Sequence, residues 1–263
     1  MPGIPLPVRQ RSFLETSRTD RWWVTPTLVL IGLSAFLVYS TWAALQGAYY
    51  WVPGTNYLSP FYSPELFGNS PHAWFGTLPS WWPAWLPYSP AILILWAPAG
   101  FRLTCYYYRG TYYKSFWADP PGCAVGEPRK NYIGESNWPL RIQNVHRYFM
   151  YIAVLFIVML TIDAIKAFWF ADGFGIGLGT LVLCVNAVLL AGYTFGCHSL
   201  RHIVGGRKDC ISASPTCQSL YKGCSALNRR HGLWAWMSLF SVMFADLYVR
   251  LCAMGVWKDV RTI

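Results

Sequence analysis

Charge is what this 263-residue chain has least of: Asp, Glu, Lys and Arg together make up 12% of it. A soluble domain usually carries about twice that share, and 54% of the residues here are hydrophobic. An ordinary soluble globule is thereby excluded. Between Trp22 and Phe101 there is no Lys or Arg at all. The basic, polar start lacks both an apolar core and a small-residue cleavage site, so no cleavable signal peptide is expected. There is no internal repeat, and no matching pair of interrupted apolar segments of the kind a transporter needs. The short-spaced Cys and His motifs of compact zinc sites are missing too.

What is present reads as a membrane protein. Fifteen Trp and seventeen Tyr suit the aromatic belts at the two membrane interfaces. A bilayer core of roughly 30 Å needs about 20 apolar helical residues. Five stretches meet that need: about 23–46, 88–110, 142–170, 175–203 and 231–256. The expected fold is all-α, one integral membrane bundle of five transmembrane helices, with 1–263 forming a single anchor domain. Pro90 suits a first helical turn, and Pro98 should kink the second helix. Asn137 and Pro139 are read as the cap of the third, Gly205-Gly206 as the stop of the fourth.

The net charge of +10 is confined to particular loops, which argues for a membrane partner over nucleic acid. Arg9, Arg11, Arg18 and Arg21 precede the first helix. Arg109, Lys114, Arg129, Lys130 and Arg141 lie between the second and third. Arg207, Lys208, Lys222, Arg229 and Arg230 lie between the fourth and fifth. The positive-inside rule therefore places the amino terminus and both loops in the cytoplasm of a multi-pass plasma-membrane protein. The opposite face receives the Pro- and Trp-rich segment from about Gln46 to Pro87, expected to lie in the interface, and a tight turn near Asp172-Gly173.

Four of the five histidines and six of the eight cysteines fall at or beyond the basic end of the spans. Cytoplasmic thiols are normally reduced, so disulfides are not expected. Cys184 and Cys252 are read as small buried side chains, and Cys217 and Cys224 receive no role. Cys105, His146, Cys197, His198, His202 and His231 are candidate metal ligands, four of them in use, with Cys123 and Cys210 as substitutes. At about 1.5 Å per residue, Cys105 should lie roughly 7 Å inside the end of its helix, with His146 at similar depth. His198 and His202, four apart, share a helical face. Zinc would accept such donors but usually at the short spacings this chain lacks, and spacing alone does not choose between haem and a Rieske-type [2Fe–2S] cluster.

The strings QNVHRYFMY (143–151), YTFGCHSLRHIVGG (193–206), LNRRHGLWAW (227–236) and FRLTCYYYRGTYYKSFWADPPGCAVGEP (101–128) resemble the membrane anchor of actinobacterial succinate dehydrogenases, of the mycobacterial type-1 kind. The resemblance implies a subunit of succinate:quinone oxidoreductase without an active site complete in itself. Its partners would be a flavoprotein subunit, an iron–sulfur subunit, membrane lipid and quinone, with a higher oligomer of the complex left open. It further implies a membrane-embedded Rieske-type [2Fe–2S] cluster delivering electrons to menaquinone. The alternatives are a haem b cytochrome anchor and a purely structural anchor. The first two helices contain no histidine, and no histidine falls in the outer half of any helix, so a second, outer haem lacks ligands. Trp138, Tyr148, Ser199, Arg201 and Trp234 are candidate quinone contacts. Arg102, Arg147 and Arg201 are the cations nearest the metal ligands in sequence. Asp163 with Lys166, and Asp246 with Arg250, have the spacing of local ion pairs.

Overall fold

A computed structural model describes residues 11–83, 85, 88–129, 140–206 and 210–262. The described chain is mostly helical: α1 (Val24–Gln46), α2 (Pro90–Leu103), α3 (Tyr106–Ser115), α4 (His146–Lys166), α5 (Leu178–Phe195), α6 (His198–Gly205), α7 (Pro215–Asn228) and α8 (His231–Ala253). Among the described residues, four helices are long and apolar enough to cross a membrane: α1, α4 with the turn before it, α5 and α8. The fifth expected span is shorter in the fold. The 14 residues of α2 reach only about 21 Å at helical rise.

The reason is a break that hydropathy does not register. Helix α2 stops at Leu103 and α3 begins at Tyr106, with Cys105 extended between them (φ −65°, ψ 128°). The expected span 175–203 is divided in the same way. Helix α5 ends at Phe195, Cys197 is extended (φ −66°, ψ 137°), and α6 starts at His198. Hydropathy averages residue types over about twenty positions and does not register a local change of backbone, so both segments read as continuous. The fourth segment does stop at Gly205, as expected. The third starts as a 3₁₀ turn (Leu140–Val145) and ends at Lys166. Trp169–Phe170 then pairs with Gly173–Phe174 around the expected turn, where Gly173 takes a left-handed φ of 127° that a side chain would disfavour. The cap read at Asn137 and Pro139 lies outside the described residues.

By its contacts the chain divides into two units, residues 1–35 with 103–144 and residues 36–102 with 145–263. In the first, the basic amino-terminal segment pairs with the loop carrying Cys123. Leu14 N–H donates to Gly126 O (3.0 Å) and Gly126 N–H to Glu15 O (2.9 Å). Thr16 Oγ1 donates to Ala124 O (3.0 Å), and Arg18 to Cys123 O (3.0 Å). A side chain at Gly126 would run into Ser12 O.

In the second unit α5 packs on both α4 and α8. The contact uses small residues, among them Ala164, Ala187 and Ala245 in one buried cluster with Tyr57, Leu183 and Val249. Small side chains let helices approach closely where water provides no hydrophobic drive. The segment from Gly47 to Ser89 has little regular structure, yet it is folded. Tyr50, Leu58, Phe61 and Tyr62 are buried with Ala43, Ala91 and Val242, while Trp74, Trp81 and Trp85 stay exposed.

Buried polar groups tie this segment to the helices. Asp246 and Arg250, both essentially inaccessible, form the expected i, i+4 pair (Nε–Oδ2 3.3 Å). Asp246 also accepts from Tyr39 Oη (2.6 Å) and Ser59 Oγ. Arg250 donates to Ala48 O (2.8 Å) and Ala43 O (3.3 Å). The pair expected for Asp163 and Lys166 does not form. Asp163 accepts the hydroxyl of Ser63, brought from a hundred residues away by the irregular segment, and Lys166 is exposed. The carboxyl-terminal tail closes the same unit. Asp259 accepts Gly179 N–H (3.0 Å) in the first turn of α5, and Arg261 pairs with Asp172 (2.5 Å).

Candidate metal and quinone site

Cys197 sits where the backbone leaves α5 and re-enters a helix. Its N–H donates to Thr194 O (3.2 Å) and its carbonyl receives Arg201 N–H (3.2 Å), opening α6. The break frees the carbonyl of Gly196, and Asn228 Nδ2, from the end of α7, takes it at 2.8 Å. A Cβ on Gly196 would press on Leu227 at 3.2 Å, so glycine is what lets α7 approach. Cys197 thus lies at the amino-terminal end of α6. Cys105 repeats this local design at the start of α3, buried and extended, with its carbonyl accepting Arg109 N–H (2.9 Å).

His146 is the first residue of α4 and is buried, as is Cys197. Their side chains meet: Nε2 lies 3.1 Å from Sγ. Phe101 stacks on the His146 imidazole (centroids 4.8 Å, planes 5° apart). Tyr193 meets Phe101 edge-on at 5.4 Å and stacks on His231 at 5.0 Å. The two imidazoles thus lie at the ends of a four-ring pile. Arg102 covers Tyr193, its guanidinium 4.7 Å from the ring centre. It donates to Ala235 O (3.2 Å) and Ser238 Oγ (2.9 Å) on α8.

The other expected residues are placed as follows. His198 and His202 are both exposed and face each other, ring centres 5.6 Å apart. Cys123 and Cys210 are exposed. Ser212 Oγ lies 2.9 Å from Cys210 Sγ, and this contact, with the backbone of residues 212 and 213, holds the thiol below the usual range. None of the eight cysteines, all of them described, is in a disulfide. Tyr148 is exposed, Ser199 half-buried, and Arg201 donates to Tyr221 Oη (2.8 Å). Trp138 lies outside the described residues. Trp234 packs against the bare backbone of Gly192, where a Cβ would come within 2.6 Å of the indole. Its Nε1–H is buried with no acceptor among the described residues.

Sequence reasoning missed Phe101 and Tyr193. A signal for them exists: each precedes its cysteine by four residues, in FRLTC and YTFGC. That spacing is one helical turn, which sets an aromatic ring above each helix break.

Among the described residues no three His, Cys, Asp or Glu side chains are grouped as a metal site would group them. Of the donor types that a Rieske-type iron–sulfur centre takes, one imidazole and one thiol are in contact here. An imidazole and a thiol from separate helices converge in a buried position, and a second imidazole stands beyond two aromatic rings. Such a centre takes two Cys and two His.

Comparison with known proteins agrees with this arrangement of helices. One solved structure, from the "Mycobacterium smegmatis Sdh1 complex in the apo form", matches with a TM-score of 0.88 and 44% identity over 99% of each chain. A search of curated proteins returns no match. The family described as "Actinobacterial succinate dehydrogenase subunit SdhC" matches residues 24–255, and with nearly all of its helical framework covered, the chain belongs to that family.

Proposed function

We propose that this chain anchors a succinate dehydrogenase in the plasma membrane and passes electrons from an iron–sulfur subunit to menaquinone through a Rieske-type [2Fe–2S] centre. The observation that carries the reading is the buried contact of His146 Nε2 with Cys197 Sγ. His146 and Cys197 would supply two of its four ligands. When bound, such a centre supplies one-electron transfer at a potential raised by its histidine ligands. The stacked rings hold the imidazoles of His146 and His231 in place. Haem b is less well supported, because His146 faces a sulfur where a haem pocket would need a second imidazole.

The buried Nε1–H of Trp234, one turn from His231, would donate to a quinone carbonyl. An unused buried donor in an apolar site is costly until an acceptor arrives. Similarity to a chain of the Sdh1 complex supports assembly with flavoprotein and iron–sulfur subunits. The basic loops put the metal end and the amino terminus on the cytoplasmic side.

The test is low-temperature EPR on the dithionite-reduced complex, with iron and acid-labile sulfide analysis. A Rieske-type signal is expected in the wild type and its loss in Cys197→Ser and His146→Ala. A haem absorption band without an additional iron–sulfur signal would instead establish the cytochrome reading.

A further inference from the structure

We propose that the exposed face of α3 binds the anionic phospholipid headgroups of the cytoplasmic leaflet. The inference concerns a part of the chain that the metal and quinone reading does not use. It rests only on the orientation drawn from the basic loops. Two residues separate α3 from α2, so chain length alone keeps its first turn beside the basic end of an apolar segment. Its own sequence, YYYRGTYYKS, is aromatic and cationic instead.

The side chains of α3 divide between two faces. Tyr108 is buried and stacks on Tyr112 one turn later (centroids 6.0 Å, planes 16° apart). On the other side Tyr106, Tyr107, Gly110 and Lys114 are exposed, followed by Trp117 just beyond the helix. Intervals of three and four keep these residues on one helical face. Arg109 borders that face, its guanidinium 5.4 Å from the Tyr106 ring centre and 6.0 Å from that of Tyr113.

The chemistry of this face selects its partner. Tyr and Trp rings suit the headgroup level, where an apolar body and a polar tip are both accommodated. Lys lays its stem on apolar surface while its ammonium stays in water. No Asp or Glu occurs between Glu65 and Asp119, so no acid within this stretch offsets Arg109 and Lys114. Aromatic rings and cations on one face fit an anionic leaflet. A soluble partner would have to bring both an acidic and an apolar surface here, whereas the bilayer interface supplies both.

The test is photocrosslinking of the intact complex in nanodiscs of equal parts phosphatidylcholine and phosphatidylglycerol. Tyr107→p-benzoylphenylalanine reports on α3, and Leu37→p-benzoylphenylalanine, at an exposed position on α1, reports the lipid mixture around the spans. Mass spectrometry identifies the adducts. Position 107 is expected to give lipid adducts enriched in phosphatidylglycerol relative to position 37, by about fivefold for a single basic contact. Lys114→Gln, at an exposed site, is expected to lower that enrichment. Adducts to a soluble subunit, absence of lipid adducts at position 107, or a lipid ratio equal to that at position 37 overturns the proposal. So does an enrichment that Lys114→Gln leaves unchanged. Nanodiscs carry the same lipid on both faces, so a reversed topology would not alter these results; labelling of Cys210 from each side of the membrane tests that separately.

Discussion

At the scale of single residues, the buried charges show how far local spacing can be trusted. Asp246 and Arg250 are four apart on one helix and pair as that spacing implies. Asp163 and Lys166 have similar spacing, but the carboxylate takes Ser63 from the irregular segment, a partner no local rule could supply. Removing one member of a buried pair leaves an uncompensated charge, at a cost of about 3–5 kcal/mol. Asp246→Ala is expected to lose about that much in detergent denaturation, and Asp246→Asn clearly less. A loss below roughly 1 kcal/mol for Asp246→Ala would mean that Arg250 is solvated in the membrane-embedded protein. Cys210 offers a check by pH. Its depressed pKa means the thiolate persists at lower pH than for an ordinary thiol. Maleimide labelling of Cys210, followed by peptide mapping, should therefore rise at lower pH in the wild type than in Ser212→Ala, which removes the side-chain hydrogen bond to the thiol. Coincident profiles would contradict the hydrogen bonds described for it.

At the scale of elements, the candidate site residues are concentrated where helices are interrupted. Backbone groups freed inside a membrane must be satisfied by protein, and here Asn228 meets the carbonyl released at Gly196. Two interruptions, each with a cysteine at the new helix start, cost helical hydrogen bonds and deliver a buried thiol at an amino-terminal dipole. Gly192 plays a related part on α5 by leaving room for Trp234. Gly192→Ala should displace the indole and raise the KM for quinone while the EPR signal of the centre persists. An unchanged KM would remove Trp234 from the quinone site. The interruptions were not legible in hydropathy, since TC and GC dipeptides do not lower an apolar average enough. The i, i+4 aromatic before each cysteine was legible in principle.

At the scale of the whole molecule, the charge distribution gives a testable orientation. A membrane-impermeant maleimide should reach Cys210 in inverted vesicles and leave it unlabelled in intact spheroplasts. The opposite pattern would reverse the topology drawn from the positive-inside rule. The four long spans and the membrane class followed from the sequence because apolar length is a local property. The sequence also offered a set of candidate ligands near the basic helix ends, of which the structure brings His146 and Cys197 into contact. Which of those residues meet did not follow. Only the packing of α4, α5 and α8 puts His146 on Cys197 and leaves His198 and His202 facing outward. Depth is fixed by position along a helix, whereas contact depends on its rotation and on where its backbone breaks, and those are set by neighbours distant in the chain.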